Sequence, residues 1–291
     1  MARPCIVDCD PGHDDAVALL LAAASPELDL RAITTVAGNG ELDKVTRNAL
    51  RVCTLAGIRD VPVAAGAERP LVRALETAAD VHGESALDGP DLPEPDVPLD
   101  PRPAHRLIAD VAAASPDPVT LIAIGPLTNV ATALERHPEL AGSLREIIVM
   151  GGSTDRGNRT PYAEFNIWVD PEAAERVFAS GVPVTMVGLN LTHQALATPA
   201  VVERLRELDS DVARAVVGWI TFFGSTYLDL WGFGGRSRRS WRSTTVAPRV
   251  HSPLVSIATN VSTHRTSVGS IASATAQASW TGGPPKPQRS R

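Results

Sequence analysis

The chain has few cysteine and aromatic residues and no long apolar segment. Its 291 residues include three cysteines, and aromatic residues make up 4% of the total. Cys5, Cys9 and Cys53 form no Cys-x-x-Cys pair, which argues against a zinc site or a disulfide framework and favours buried, reduced thiols. The longest apolar run, residues 16–24, is too short to span a bilayer. Because no charged-then-apolar signal segment precedes Cys5, we expect a cytoplasmic protein without a membrane partner.

Acidic residues are absent from the last part of the chain. All 33 lie in residues 1–230 with 18 of the 27 Lys and Arg, whereas residues 231–291 contain nine basic residues and no Asp or Glu. Ser, Thr, Arg and Pro are frequent from residue 232 onward and helical periodicity is lost, so we expect residues 236–291 to be a disordered tail. A basic tail is a candidate nucleic-acid arm. This one lacks interleaved aromatics and a basic helix, so we predict no nucleic-acid binding.

Short apolar segments alternate with helical patterns through residues 1–235. Strands are predicted at 5–7, 28–38 including its loop, 61–65, 119–125, 145–152 and 183–189, and helices at 14–25, 41–58, 104–114, 126–137, 170–180, 199–209 and 211–229. This alternation predicts one α/β domain, with an open, mostly parallel sheet flanked by helices. Residues 66–103 are rich in proline and too irregular for core elements, so we interpret them as a lid or binding loop.

Four aspartates surround the first predicted turn from strand to helix. Asp8 and Asp10 leave a buried strand on the same side, and Asp14 and Asp15 lie in the first helical turn, where the macrodipole favours negative charge. Four carboxylates at the carboxyl end of one strand repel one another, and a hard cation such as Ca²⁺ or Mg²⁺ removes that repulsion. One Asp at a helix start is usually a cap, but four within eight residues indicate a metal or polar-substrate site.

Other polar motifs follow the other predicted strands. They are Gly38-Asn39-Gly40, the run from Ile124 to Asn129, Met150-Gly151-Gly152 with Asn158, Glu164 and Asn166 behind it, and His82-Gly83-Glu84-Ser85 in the proposed lid. Each motif alone is weakly informative, because Asn in a glycine loop is usually turn chemistry and a lone loop His is usually solvated. Their shared position at strand ends predicts one common site.

Together these motifs resemble the nucleoside hydrolases, the inosine-uridine-preferring family of ribohydrolases. The segments that carry the likeness are DCDPGHDD, ITTVAGN, HGES, GPLTN, VMGG, AEFNIWVDPEAA and THQALAT, all within residues 1–230. The resemblance implies an open α/β fold and a homo-oligomer, dimer or tetramer. It also implies a Ca²⁺ at the base of the pocket and hydrolysis of the N-glycosidic bond of a small ribonucleoside to free base and ribose, a reaction of purine or pyrimidine salvage.

The resemblance also implies roles for individual residues. Asp10 and Asp15 look like metal ligands, together with the backbone carbonyl of Ile124. Asp10 is in addition the group that takes a proton from the attacking water, and Asp8 looks like a support behind these ligands. The residues that the resemblance assigns to substrate binding are Asp14, Asn39, Glu164 and Asn166 for the ribose hydroxyls, Asn158 and Met150 near the 5′ end and the floor, and His82 over the base.

One motif of the family is absent. Family members continue after the region 227–235 with His-Asp-Pro, whose Asp completes the metal site and whose His commonly protonates a leaving purine. Here residues 235–241 read GRSRRSW, and no acidic residue follows Asp229. We therefore expect impaired activity. The sequence leaves the base preference open, although loss of that His would favour pyrimidines.

The change of composition after Gly235 suggests translation in a shifted reading frame. Sequencing the coding DNA tests this hypothesis, and it is contradicted if no alternative frame encodes a His-Asp-Pro continuation. A second, smaller departure is Asn190, where the family usually has Asp; we expect it to affect supporting hydrogen bonds.

Two other functions use the same residues. A non-catalytic module would bind ribose or nucleoside through Asp14, Asn39 and Asn166 without turnover. The triplet Asp8-Cys9-Asp10 also resembles the opening of phosphatases with an aspartyl nucleophile, but those enzymes have Thr or Val two residues after the second Asp, where this chain has Gly12.

Overall fold

A computed structural model of the chain describes residues 2–231 and 250–251. The strands are β1 Arg3–Cys9, β2 Leu28–Thr35, β3 Val63–Ala65, β4 Leu99–Asp100, β5 Val119–Ala123, β6 Leu144–Met150, β7 Val184–Val187, β8 Leu196–Ala197 and β9 Val250–His251. The helices are α1 His13–Ala24, α2 Leu42–Ala56, α3 Ala79–His82, α4 Ala104–Ala114, α5 Thr128–Arg136, α6 Leu140–Ser143, α7 Phe165–Val169, α8 Pro171–Phe178, α9 Leu189–Thr192, α10 Pro199–Arg206 and α11 Asp211–Trp231.

Seven parallel strands form the main sheet, in the order β4-β3-β2-β1-β5-β6-β7. The chain runs outward from β1 to β4 on one side and returns to build β5, β6 and β7 on the other. The strand order therefore reverses between β1 and β5, and open α/β sheets bind ligands outside the carboxyl ends of the strands at such a point. The predicted open, mostly parallel sheet is confirmed.

Strand β1 lies at the centre because it is apolar on both faces. Ile6 and Val7 are almost completely buried, as expected for a parallel strand that is covered on both sides. Val7 belongs to one apolar core with Leu19 of α1, whereas Ile6 belongs to the other core with Leu107 of α4. Burying both faces holds the first βα turn in a fixed position.

The expected state of the cysteines is confirmed, since all three are free and buried. Among the helices of residues 2–231, none is both long enough and apolar enough to cross a membrane.

The expectation that residues 66–103 hold no core elements is wrong at the edge of the sheet. Leu99–Asp100 forms β4, which pairs in parallel with Val63 and Ala64 of β3. The same segment also contains the one-turn helix α3. Neither element is long enough to show a periodic pattern, so partners elsewhere in the fold determine them. The short elements α6, α7, α9 and β8 are likewise not predicted from the sequence.

One predicted boundary extends too far, since the helix expected from Pro126 begins at Thr128. The second strand ends at Thr35, and the loop predicted with it follows. The predicted tail, residues 236–291, lies outside the described part of the chain except for β9. That strand pairs antiparallel with β8, and the disordered tail stays a prediction.

Candidate functional site

A pocket lies at the carboxyl ends of the central strands and encloses about 750 Å³ when the solvent at its open mouth is included. The predicted site residues that line it are Asp14, Asp15, Asn39, His82, Ile124, Met150, Asn158, Glu164 and Asn166. Asp10 is fully buried beside them, and its Oδ2 accepts a hydrogen bond of 2.7 Å from the backbone N–H of Asn39. The fold therefore brings all ten predicted residues together.

The first βα turn folds around the carboxylate of Asp15. Asp15 accepts hydrogen bonds from the backbone N–H groups of Asp10 at 3.3 Å and Gly12 at 3.4 Å, and from Asn39 Nδ2 at 3.2 Å. A Cβ atom at Gly12 would lie 2.6 Å from Nδ1 of His82 and 2.8 Å from Nδ2 of Asn39. Only glycine allows both side chains to approach this turn.

Two carboxylate oxygens of Asp10, Asp14 and Asp15 lack a partner among the described residues. They are Oδ1 of Asp10 and Oδ1 of Asp14, and Oδ2 of the neighbouring Asp8 also has none. Burial, and next the charge of Asp15, raises the pKa of Asp10; burial, and next the charge of Asp14, raises the pKa of Asp15. Burial raises the pKa of Asp14 to about 6. Within residues 2–231, no ion pair joins these three carboxylates to a basic side chain.

The donor set fits a hard cation. Its candidate ligands are the carboxylates of Asp10 and Asp15 and the carbonyl oxygen of Ile124, all of them oxygens. In the described part of the chain, no group of three or more His, Cys, Asp or Glu side chains is arranged to hold a metal. The candidate ligands are therefore two carboxylates and one backbone carbonyl. A cation bound there would also compensate the buried carboxylate oxygens that have no hydrogen-bond partner.

Asp8 lies behind this cluster and is completely buried. Its Oδ1 accepts hydrogen bonds from Thr34 Oγ1 at 2.6 Å and Asn129 Nδ2 at 2.8 Å, yet burial raises the pKa of Asp8 to about 7. The other amide atom of Asn129 accepts from the backbone N–H of Ala67 at 2.8 Å. Asn129 therefore joins β1 to the start of the long segment. The GPLTN motif contained this residue, but no sequence pattern indicated its partners.

The wall opposite the aspartates is built by helix α7 and the end of β6. Glu164 accepts hydrogen bonds from three backbone N–H groups, those of Gly152, Asn166 and Ile167. Asn166 donates from Nδ2 to the carbonyl oxygens of Ile124 at 2.8 Å and Met150 at 3.1 Å. Both side chains are therefore held in place before any ligand binds.

The side chain of Asn158 also takes part in this wall. Its Oδ1 accepts a hydrogen bond of 2.9 Å from the backbone N–H of Phe165, which follows Glu164. Asn190, the departure noted in the sequence, is exposed in α9.

His82 closes the pocket from the long segment and is buried, not solvated as a lone loop histidine usually is. Its ring contacts His13 and Phe223, with ring centroids 5.1 Å and 5.5 Å away. Asn48 Nδ2 donates to the carbonyl oxygen of Ser85 at 2.8 Å and holds the segment that follows His82. Burial lowers the pKa of His82. No sequence pattern indicated the contacts of His13, Asn48 and Phe223, because these contacts join residues far apart in the chain.

The pH dependence of folding follows from the buried acids. Burial raises the pKa of Glu164 to about 7 from its ordinary 4.5. The pKa of Glu164 is higher in the folded state than in the unfolded state. The contribution of this group to the free energy of unfolding is therefore fully present below the unfolded pKa, and it is lost as the pH rises through the folded pKa. We expect a loss of about 3 kcal/mol in the free energy of unfolding from this group across that window, at about 1.4 kcal/mol per pKa unit.

Urea unfolding between about pH 4.5 and 8 in the presence of a chelator measures the effect. Glu164→Gln should give a shallower decrease of stability with pH than the unaltered chain, whereas Glu68→Gln, at an exposed position, should not. Equal slopes for the unaltered chain and Glu164→Gln would contradict the expectation.

Known proteins resemble this chain over most of its length. The sequence family described as inosine-uridine preferring nucleoside hydrolase matches residues 5–280. This range extends past Gly235, after which we expect the chain to depart from the family. The pyrimidine-specific ribonucleoside hydrolase RihA of Photobacterium profundum is 51% identical over 238 residues, which is 81% of this chain and 76% of that protein. RihA of Salmonella arizonae is 53% identical over 236 residues, again 81% and 76%.

Solved structures agree with these sequence matches. A purine-preferring ribonucleoside hydrolase from Gardnerella vaginalis superposes with a TM-score of 0.79 and 30% identity, covering 89% of this chain and 80% of that one. A plant nucleoside hydrolase superposes with a TM-score of 0.78 and 32% identity, covering 90% and 79%. With the sheet order and the polar pocket described above, these matches show that the chain belongs to the inosine-uridine preferring nucleoside hydrolase family.

Proposed function

We propose that the chain hydrolyses the N-glycosidic bond of pyrimidine ribonucleosides to ribose and free base, with Ca²⁺ bound at the aspartate cluster. The observation that carries the proposal is the pocket lined by Asp14, Asn39 and Asn166, beside which Asp10 is buried; Asp10 and Asp14 each have one carboxylate oxygen without a partner among the described residues. The preference for pyrimidines is supported by the names of the relatives that are 51% and 53% identical. The purine-preferring neighbour is more distant, at 30% identity.

Cleavage of the glycosidic bond places positive charge on the ribose ring as the base leaves. The carboxylates of Asp14 and Glu164 line the pocket and stabilise that charge more in the transition state than in the ground state. Glu164 is fixed by three backbone donors, so it needs little reorganisation when the charge develops. The carboxylate and amide groups of Asp14, Asn39 and Asn166 would bind and orient the ribose hydroxyls.

Asp10 is the group that we assign to activation of water. Its Oδ2 is held by the backbone N–H of Asn39, which leaves Oδ1 free to take a proton from a water that attacks C1′. Burial and the charge of Asp15 raise the pKa of Asp10, so the ionised group is a stronger base than an exposed aspartate. A Ca²⁺ held by Asp10, Asp15 and the Ile124 carbonyl would neutralise the carboxylates and lower the pKa of a bound water.

The sequence after Gly235 is expected to reduce the rate. It contains no His-Asp-Pro motif, so a metal-ligating carboxylate and one candidate acid are missing. Loss of a general acid typically costs a factor of about 10² to 10⁴. We therefore expect kcat for this chain to lie below that of a nucleoside hydrolase carrying the motif.

Assembly into a dimer or tetramer remains a prediction, which size-exclusion chromatography with light scattering tests.

Ribose release from uridine, cytidine and inosine tests the proposed activity, at high enzyme concentration and with added Ca²⁺. We expect kcat/KM for the two pyrimidine nucleosides to exceed that for inosine by about tenfold or more, the discrimination that pocket contacts can supply. Removal of divalent cations with a chelator should abolish turnover, and Ca²⁺ should restore it better than Mg²⁺. Asp43→Asn, at an exposed position of α2, is the matched control and should keep full activity.

Binding without turnover would favour the non-catalytic alternative. Isothermal titration calorimetry that detects uridine binding, while no ribose is released with Ca²⁺ present, would overturn the hydrolase proposal. Turnover that is indifferent to chelation would instead overturn the assignment of Ca²⁺.

A further inference from the structure

The guanidinium group of Arg159 joins the two segments that flank the pocket. Arg159 lies between β6 and α7, and it forms ion pairs with Asp80 at 3.6 Å and with Glu76 at 3.4 Å. Both acids belong to the long segment 66–103, and Asp80 lies in α3, two residues before His82. Arg159 and Asp80 both line the pocket. These ion pairs therefore connect one wall of the pocket to the other.

The backbone that carries Arg159 is fixed to its own wall. Three successive backbone N–H groups, those of residues 158 to 160, donate to the carbonyl oxygen of Ala163 at 3.1, 3.1 and 3.3 Å. The guanidinium carbon of Arg159 lies 5.1 Å from the ring centroid of Trp168 in α7, where the negative face of the ring attracts the cation. The side chain of Arg159 is 28% exposed. Its position is therefore determined by α7 and the turn before it.

Helix α3 depends on neighbouring elements for its position. It is one turn long, and its N-cap residue, Ala78, makes no side-chain hydrogen bond. A single turn is not stable by itself, because nucleation fixes several dihedral angles for one hydrogen bond. Thr226 Oγ1 donates to the carbonyl oxygen of Val81 at 2.8 Å, which attaches α3 to α11. The ion pairs of Arg159 supply a second attachment, from a different element.

Both ion pairs are accessible to dissolved salt. The exposed fraction of the side chain is 58% for Glu76 and 48% for Asp80. An ion pair of this kind changes an equilibrium by about fivefold at most, and its contribution decreases as the ionic strength rises. Among the described residues that line the pocket, Arg159 is the only Lys or Arg. We therefore expect ionic strength to act on the position of α3 through this side chain.

We propose that Arg159 is a positioning residue for substrate binding, which holds α3 toward the wall formed by α7 through Asp80 and Glu76 and so sets the width of the pocket beside His82. The inference rests on the proposed hydrolase function only where it predicts kinetics. A pocket that is already formed requires less ordering when a nucleoside binds. The ion pairs therefore lower KM and make it depend on ionic strength, whereas the groups that act on the glycosidic bond are unchanged.

Two substitutions separate the charge of Arg159 from its packing. Arg159→Met keeps a long apolar side chain against Trp168 and removes the charge, whereas Arg159→Gln removes the charge and shortens the side chain. A role through charge predicts the same effect for both variants, whereas a packing role predicts that methionine is tolerated. Arg145→Gln, at an exposed position near the start of β6, is the matched control for a lost positive charge.

Steady-state hydrolysis of uridine at saturating Ca²⁺ gives the first test. We expect both Arg159 variants to raise KM by about three- to tenfold at low salt, the range that two partly exposed ion pairs supply, while kcat changes by less than about twofold. Raising NaCl from about 0.05 M to about 0.5 M should raise KM of the unaltered chain by a similar factor and that of the variants little. Arg145→Gln should keep the KM and the salt response of the unaltered chain.

Removing the two acids tests whether Arg159 acts through them. In a chain that carries Glu76→Gln and Asp80→Asn, Arg159→Gln should raise KM by less than about twofold, because both partners are already gone. An unchanged KM in Arg159→Gln, an equal salt response with and without Arg159, or tolerance of methionine alone would overturn the proposal. An equal effect of Arg159→Gln in the presence and absence of the acids would overturn it as well.

Hydrogen–deuterium exchange of the unligated chain tests the position of α3 without turnover. The backbone N–H groups of Val81, His82 and Gly83 donate to carbonyl oxygens of Ala78 and Ala79, so their exchange reports how often this turn opens. We expect Arg159→Gln to speed their exchange by about three- to tenfold, the same equilibrium factor, and Arg145→Gln to leave it unchanged. Equal exchange in the unaltered chain and Arg159→Gln would overturn the inference.

The two measurements separate this inference from the proposed function. A chain that releases no ribose from uridine, but whose α3 exchanges faster in Arg159→Gln, would overturn the hydrolase proposal and keep Arg159 as the residue that positions α3. A chain that hydrolyses uridine with the same KM and the same exchange in Arg159→Gln would overturn the inference alone.

Discussion

Replacing Asp10 with asparagine should lower kcat for uridine hydrolysis by about 10³- to 10⁴-fold, near the upper range for the loss of a general base. The substitution keeps the shape of the side chain but removes the basic oxygen and one negative charge next to Asp15. Ca²⁺ binding should weaken at the same time, because two carboxylates become one. Steady-state ribose release and calorimetric titration with Ca²⁺ measure the two effects separately.

The fold of the Asp10→Asn variant should be kept. Removing a charge from a buried carboxylate cluster relieves repulsion, so we expect its stability in the presence of a chelator to equal or exceed that of the unaltered chain. Asp43→Asn serves as the control for a charge change on an exposed surface. Near-normal turnover by Asp10→Asn would rule out Asp10 as the group that activates water.

Replacing Asp170 with alanine should destabilise the chain by about 3–5 kcal/mol, the sum expected for a lost helix cap and two further donors left unpaired, one buried and one half-buried. Asp170 is completely buried at the start of α8. It accepts from the backbone N–H of Ala173 at 3.0 Å, the backbone N–H of Leu71 at 2.9 Å and Thr128 Oγ1 at 2.6 Å. One carboxylate thus joins α8, α5 and the start of the long segment.

Urea unfolding followed by circular dichroism measures this loss as a lower midpoint with an unchanged slope. Asp170→Asn keeps one acceptor oxygen and should lose less, about 1–2 kcal/mol, since one of the donors then faces an amide nitrogen. If alanine and asparagine destabilise equally little, the three hydrogen bonds do not determine the stability of this junction.

Much of the site was visible in the sequence because its residues cluster at recognisable places. The DCDPGHDD segment predicts a strand, a tight turn and a helix with four acids, and β1 and α1 have that arrangement. The polar motifs after the later strands were expected at the same edge of the sheet, and Asn39, Met150 and Asn166 line the pocket there. The carboxyl ends of parallel strands lie at the same edge of the sheet. The order of strands along the chain was therefore sufficient to predict that these motifs meet there.

Contacts between segments far apart in the chain were not visible in the sequence. Asn129 donates to Asp8 across 121 residues of sequence, and His82 meets His13 across 69. The two-residue strand β4 and the one-turn helix α3 have no periodic pattern of their own. Their positions depend on packing against β3 and α11, which a linear pattern does not contain.

The sequence by itself determined the fold class, the edge of the sheet that carries the site and the acids that compose it, because hydrophobic period and strand–helix alternation are local properties. Only the tertiary structure decided that oxygens of Asp10 and Asp14 are left without partners and that the ring of His13 is held between His82 and Phe222. Which atoms remain without a partner depends on burial and on the groups that folding brings from remote parts of the chain.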